Sequence, residues 1–147
     1  MKQMNPVEIL LVEDNQADVE LTLRALKKHN LTKNMQVVSD GAQALEYLFG
    51  TGAFAGQNKP PTPKVVFLDL KLPKVDGREV LRRMKADDRT RMIPVVVLTS
   101  SKEESDIVES YKLGANSYVV KPMDFDKFVK AVSKMGLYWV LLNQAPL

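Results

Sequence analysis

Across 147 residues, 45% of them hydrophobic and 27% charged, the chain has the balance of a globular domain and not of a disordered segment. Its net charge of +3 comes from lysines and arginines scattered along the sequence, without the basic stripe of a nucleic-acid binder. With no cysteine, disulfides, thiol chemistry and Cys-ligated zinc are all excluded.

No apolar run approaches the ~20 residues that a membrane span needs, and the stretch from Met1 to Pro6 lacks the apolar core of a signal peptide. The expectation is one soluble, cytoplasmic domain over 1–147, with its core over about 8–142.

The first predicted strand is Glu8 to Val12, with Glu13 and Asp14 at its end. Asn15 or Asp18 offers a cap for the helix that follows, whose apolar positions Val19, Leu21, Leu23, Ala25 and Leu26 suit a partly buried face. That helix ends at Lys27 to Asn30, where cations suit the C-terminal dipole and Asn terminates; His29 reads as a solvated residue of this end. Met35 to Val38 is a shorter second strand, and Ser39-Asp40-Gly41 turns into a helix over Ala42 to Phe49. Gly50 to Pro63, with three Gly and three Pro, reads as a long loop with one helical turn near Ala53-Phe54-Ala55.

Val65-Val66-Phe67-Leu68 is a continuous apolar run, as expected of a strand buried on both faces, and Asp69 stands at its end. Leu72 to Gly77 turns into a helix over Arg78 to Lys85. Pro94 to Thr99 is the fourth strand; Ser101 and Ser105 offer caps for a helix through Leu113, which Gly114 ends. Ser117 to Lys121 is the fifth strand, cut off by Pro122. The last helix, from about Phe125 to Leu142, carries apolar residues at 125, 128, 129, 132, 135 and 139, one helical face. Five alternations of strand and helix predict a doubly wound α/β fold, a five-stranded parallel sheet with helices on both faces.

Parallel strands end along one edge, where open α/β sheets bind their ligands. Glu13, Asp14, Asp69, Thr99 and Lys121 therefore gather there. Carboxylates at ~4 Å repel by about 4 kcal/mol per pair at an effective dielectric near 20. Lys121 and a hard divalent cation can offset that, and an all-oxygen site suits Mg²⁺. Such a pocket fits phosphoryl chemistry, with a carboxylate attacking phosphorus, Lys121 and the metal neutralising the phosphoryl oxygens, and Thr99 donating to one of them. Taken singly, each residue has a plainer account: Thr99 as a strand-end hydroxyl bonded to backbone, Lys121 as a solvated charge, Glu13 and Asp14 as a capping pair.

The segments Ile9 to Asn15, Val66 to Pro73 with Asp76-Gly77, Pro94 to Ser100, and Gly114 to Pro122 resemble, in order, the receiver domain of two-component response regulators. The resemblance implies a flavodoxin-like strand order 2-1-3-4-5. It implies Asp69 as phosphoacceptor, Asp14 as a direct Mg²⁺ ligand, Glu13 acting on the metal through water, and a metal contact from the Lys71 carbonyl. Thr99 and Tyr118 are then the switch pair, Lys121 the phosphate-binding lysine, and the Lys121–Pro122 bond cis. A sensor histidine kinase would donate the phosphoryl group, and a downstream protein would read the surface of the fourth helix, fifth strand and fifth helix. Catalysis would be confined to the chain's own phosphorylation and dephosphorylation.

With five residues after Leu142, the chain resembles a stand-alone regulator, and its long loop and Tyr138 to Asn143 ending are similar to regulators paired with bacterial phytochrome-type histidine kinases. Trp139 is expected near the core. Tyr138, Val140, Leu141 and Leu142 cannot all face inward, so exposed apolar surface and a homodimer through the last helix are expected. A haloacid-dehalogenase-type phosphatase would need a second Asp two residues beyond Asp69, where this chain has Lys71. The alternative function is a receiver-like scaffold that is never phosphorylated.

Overall fold

The computed structural model describes residues 7–56 and 62–144. Strands β1 (Ile9–Val12), β2 (Met35–Val38), β3 (Val65–Leu68), β4 (Val95–Thr99) and β5 (Ser117–Val120) alternate with helices α1 (Gln16–Lys27), α2 (Gly41–Phe49), α3 (Gly77–Ala86), α4 (Glu104–Lys112) and α5 (Phe125–Leu137). The strands form one parallel sheet in the order β2-β1-β3-β4-β5, the flavodoxin-like order expected from the sequence.

The strand sequences explain why both faces are covered. β1, β3 and β4 are apolar at nearly every position, so alternate residues feed two separate cores. Leu10, Val12, Val66, Leu68, Val95 and Val97 pack with Ala44, Leu45, Val80, Leu81 and Met84 of α2 and α3. Ile9, Leu11, Val65, Phe67, Val96 and Leu98 pack with Val19, Leu26, Phe128, Val129 and Val132 of α1 and α5. The central strands are thereby fixed in register, and their ends with them.

α1, α2 and α5 start on side-chain caps. Asn15 accepts from the Asp18 N–H, Asp40 from the Gln43 N–H and Asp124 from the Lys127 N–H. Of the two residues that offer a cap for α1, Asn15 takes the role. α4 differs from expectation: Glu103 precedes it without a side-chain cap bond, Ser105 lies inside its first turn, and Ser101 Oγ accepts from the Glu103 N–H at 3.3 Å while donating to the Asp106 side chain. Gly50 closes α2 in the left-handed conformation at φ 66°, and Gly114 follows α4 at φ 109°. The long loop contains a 3₁₀ turn over Gly52–Phe54, whose Phe54 ring meets Tyr47 edge-on; its residues 57–61 lie outside the described residues.

Two expectations are corrected. α5 is regular only to Leu137, and Tyr138–Leu142 form a wider π-helical turn closed by the Asn143 N–H on the Tyr138 carbonyl at 2.7 Å. The turn buries Val140, half-buries Trp139 against the α1/α5 core, and leaves Tyr138, Leu141 and Leu142 exposed. The Lys121–Pro122 bond, expected cis, is trans, since no peptide bond among the described residues is cis. Trans is the favoured isomer of an X-Pro bond by about 0.5–1 kcal/mol.

Candidate functional site

Register builds the site. Val12 pairs with Leu68, so the next residues, Glu13 and Asp69, stand side by side; the Asp69 N–H donates to the Val12 carbonyl at 3.1 Å. Thr99 pairs with Val120, and the Lys121 N–H donates to the Thr99 carbonyl at 2.7 Å. Five side chains expected at one strand edge are thus brought to it. Gly77 seals the floor: a Cβ there would lie 2.2 Å from the Asp69 carbonyl oxygen, so only glycine lets α3 start this close.

Lys121 is the hub. Its side chain is only 8% exposed, and Nζ lies 2.5 Å from Glu13 Oε1, 2.8 Å from Asp18 Oδ2 and 3.1 Å from Asp69 Oδ2. It is no solvated charge. Burial alone would lower the Lys121 pKa, but hydrogen bonds to Asp18 and Glu13 and the charge of Asp69 reverse that and hold it above its ordinary value. Glu13 moves in the same direction for a different reason. Burial pushes its carboxyl up to about 7, against the lowering pull of Lys121. Lys121 therefore keeps its proton through the neutral range, and titration of the pair near pH 7 falls on Glu13.

Glu13 and Asp69 are buried and Asp14 is exposed, and ligand oxygens of the three lie within 4.8 Å of one another. That donor set is all carboxylate, partly open to water, and fits a hard divalent cation. Glu13 also accepts from the Asn15 N–H at 3.2 Å, so the capping account of this residue is partly right. Lys71 is exposed, with its N–H 3.4 Å from Asp69 Oδ1.

Thr99 is fully buried, yet its hydroxyl has no hydrogen-bond partner among the described residues. The account of a strand-end hydroxyl bonded to backbone fails. A buried polar group left without a partner costs about 1–3 kcal/mol, which fits a group awaiting a ligand. Tyr118, half-buried on β5, donates its hydroxyl to the Ser101 carbonyl at 3.0 Å.

One residue of the site, Asp18, and one connection, from Ser101 to Asp106, escaped the sequence reading. Asp18 was legible only as a cap, although α1 begins four residues after β1 and its first turn must therefore stand beside the strand ends. Ser101 Oγ donates to Asp106 Oδ2 at 2.6 Å, and Arg78 binds the other Asp106 oxygen, tying the start of α4 to α3. His29 is exposed at the opposite end of α1 from the pocket.

Comparison with known proteins agrees with the geometry. The family model described as the response regulator receiver domain matches residues 9–133. The "Probable methanogenesis regulatory protein FilR2" of Methanothrix harundinacea is 41% identical, over 97% of this chain and 89% of that protein. "Response regulator Rcp1" of Synechocystis is 38% identical, over 92% of this chain and 90% of that one. Among solved structures, the Mn(2+)-bound form of Rcp1 superposes with a TM-score of 0.88 at 37% identity, covering 97% of this chain and all of that one. The phosphorylated cyanobacterial phytochrome response regulator RcpA gives 0.87 at 37% identity with the same coverage. The bacteriophytochrome response regulator AtBRR is 54% identical with a TM-score of 0.73, covering 96% of this chain and all of that one.

Proposed function

This chain belongs to the response regulator receiver family, and from that premise we propose that Asp69 is its phosphoacceptor, loaded by a sensor histidine kinase. The observation that carries the assignment is the meeting of three groups at one strand edge. The Asp69 carboxylate, a lysine ammonium 3.1 Å away and a buried hydroxyl with no partner stand together. An Asp69 oxygen attacks phosphorus, the P–N bond of the kinase phosphohistidine breaks, and the imidazole leaves with a proton.

Lys121 neutralises one phosphoryl oxygen and Thr99 donates its free hydroxyl to another. Glu13, Asp14 and Asp69 would hold the metal, with the Lys71 carbonyl completing the set as the family resemblance implies, and we propose Mg²⁺ in keeping with the oxygen donors. When bound, the ion supplies positive charge to the phosphoryl oxygens. Movement of Thr99 toward the phosphoryl group then biases Tyr118 and the surface of α4, β5 and α5, where Val108, Tyr111 and Phe125 are exposed, toward a downstream protein.

The likeness to RcpA and AtBRR supports a phytochrome-type kinase as the donor. The exposed Tyr138, Leu141 and Leu142 support a homodimer through the last helix. A monomer by light scattering at high concentration, phosphorylated or not, overturns the dimer. No helix among the described residues is long and apolar enough to cross a membrane, and a cytoplasmic kinase module is the partner we assign.

Intact mass after incubation with a small phosphodonor and Mg²⁺ tests the main assignment. One phosphoryl adduct that is labile to alkali, requires the metal and is absent from Asp69→Asn supports it. No adduct under any condition overturns it in favour of an unphosphorylated scaffold.

A further inference from the structure

An ammonium has three N–H donors, and those of Lys121 face three carboxylates: Glu13, Asp18 and Asp69. None is left for a phosphoryl oxygen. Lys121 must give up a partner before it can bind the phosphoryl group, and the three partners differ in how readily they are given up. Asp69 is the acceptor itself, and its bond passes to the phosphoryl group that it comes to carry, so any closer approach of Lys121 to that group is held back by Glu13 and Asp18. Glu13 is buried at 3% exposure and belongs to the candidate metal set. Asp18 has neither task and is 27% exposed, on a groove that it shares with Lys121, Leu21, Met123 and Phe125. Water can therefore take over its carboxylate when the lysine leaves.

The position of Asp18 is itself fixed. It is the third residue of α1, its N–H is held by Asn15 Oδ1 at 3.0 Å, and its carbonyl accepts the Thr22 hydroxyl at 2.7 Å. A carboxylate in the first turn is favoured by the helix dipole. The side chain is thus anchored on one element while it grips a residue of another.

We propose that Asp18 is a positioning residue, the exchange partner of Lys121: it holds the ammonium in the resting site and competes with the phosphoryl group for it. The proposal rests on Asp69 as the phosphoacceptor. Its sign separates it from a merely structural role. If Asp18 only supported the fold, removing its charge would loosen the site and weaken phosphoryl binding. If it competes, removing its charge frees a donor of Lys121 and strengthens that binding.

Trifluoroberyllate with Mg²⁺, a stable stand-in for the phosphoryl group, gives the test. Its affinity is measured on the whole chain for the wild type, Asp18→Asn, Asp18→Glu and Asp69→Asn. The expected result is binding roughly fivefold tighter in Asp18→Asn, the scale of one partly exposed ion pair, with Asp18→Glu returning toward the wild type. Unchanged or weaker binding in Asp18→Asn overturns the proposal. Binding by the wild type that Asp69→Asn does not abolish, or no binding at all, overturns the acceptor assignment instead. A second measurement keeps the two apart. In a ¹⁵N spectrum of the lysine ammonium groups without ligand, the Lys121 signal, protected from exchange in the wild type, should weaken in Asp18→Asn; an unchanged signal overturns the grip of Asp18 whatever the ligand does.

Discussion

The Tyr118 hydroxyl donates to the backbone carbonyl of Ser101 at 3.0 Å. Ser101 lies two residues beyond Thr99, whose own hydroxyl is unpartnered, and its side chain donates to Asp106 at the start of α4. Any shift of Thr99 toward Asp69 pulls on a residue that carries both of these bonds. Asp106 passes the connection to Arg78 of α3. A short segment therefore joins the pocket to β5, α4 and α3 through hydrogen bonds.

Asp106→Ala removes both of those side-chain bonds from the start of α4, a helix whose one fully buried residue is Ser110. The expected cost is about 1–2 kcal/mol in global stability, with faster amide exchange concentrated in 102–107. The pH dependence has a definite sign. Hydrogen bonds from Ser101 first and Arg78 second hold the Asp106 carboxyl below its ordinary value. Its contribution is present above the ordinary carboxylate range and is lost as pH falls through the lowered value. An Asp106→Ala protein that exchanges like the wild type in 102–107 would show that this connection does not hold α4.

Thr99→Val should separate stability from function. The wild-type hydroxyl is buried without a partner, so replacing it by a methyl removes a desolvation cost and leaves the resting protein as stable or about 1 kcal/mol more stable. The phosphorylated state loses the donor. Denaturant melts of the resting protein and the response of α4 amides to phosphorylation check the two halves. A Thr99→Val protein destabilised by several kcal/mol would mean that the hydroxyl has a partner after all.

Lys121→Met leaves Glu13 and Asp69 without their common cation. Breaking a buried ion pair from one side costs about 3–5 kcal/mol, and that is expected where Glu13 is ionised. Glu13 is already pushed up to about 7 in the wild type, first by burial, and without Lys121 it loses the main group that pulls it down. A proton can therefore replace the lost cation. A folded-state value above the ordinary one favours the folded state below the ordinary value and ceases to do so as pH rises through the folded value. The cost of Lys121→Met should shrink toward pH 5 and grow as pH rises through the raised Glu13 value, so that it is larger at pH 8 than at pH 5. Melts at the two pH values decide it, and a cost independent of pH refutes the account of Glu13.

The central fold was readable because its signals are local. Runs such as Val65 to Leu68 and Val95 to Thr99 name buried parallel strands, and strand ends in such a sheet share an edge. Glu13, Asp69, Thr99 and Lys121 met there as their positions required. What stayed hidden depends on distance between elements. That Lys121 would reach across to α1 and grip Asp18 follows from packing between elements that no spacing along the chain records; the bond from Ser101 to Asp106 is local, and a serine before a helix reads first as a cap. The trans Lys121–Pro122 bond departs from an expectation that came from resemblance, not from these residues.

Gly77→Ala tests whether the floor of the pocket is as tight as it looks. The added Cβ would lie 2.2 Å from the Asp69 carbonyl oxygen and 2.7 Å from the Leu70 Cα, both backbone atoms that cannot rotate away. The Gly77 N–H also donates to the Leu70 carbonyl at 2.8 Å, so moving α3 breaks a bond as well. Overpacking of this kind costs about 1–3 kcal/mol. The more telling effect is local. α3 must retreat from the acceptor strand, which displaces Asp69 from Lys121 and Glu13, so phosphoryl adduct formation should fall by more than the stability loss explains. The check is the rate of adduct formation at a temperature where the variant is fully folded. A variant that is folded and phosphorylated at the wild-type rate would show that the start of α3 does not set the position of Asp69.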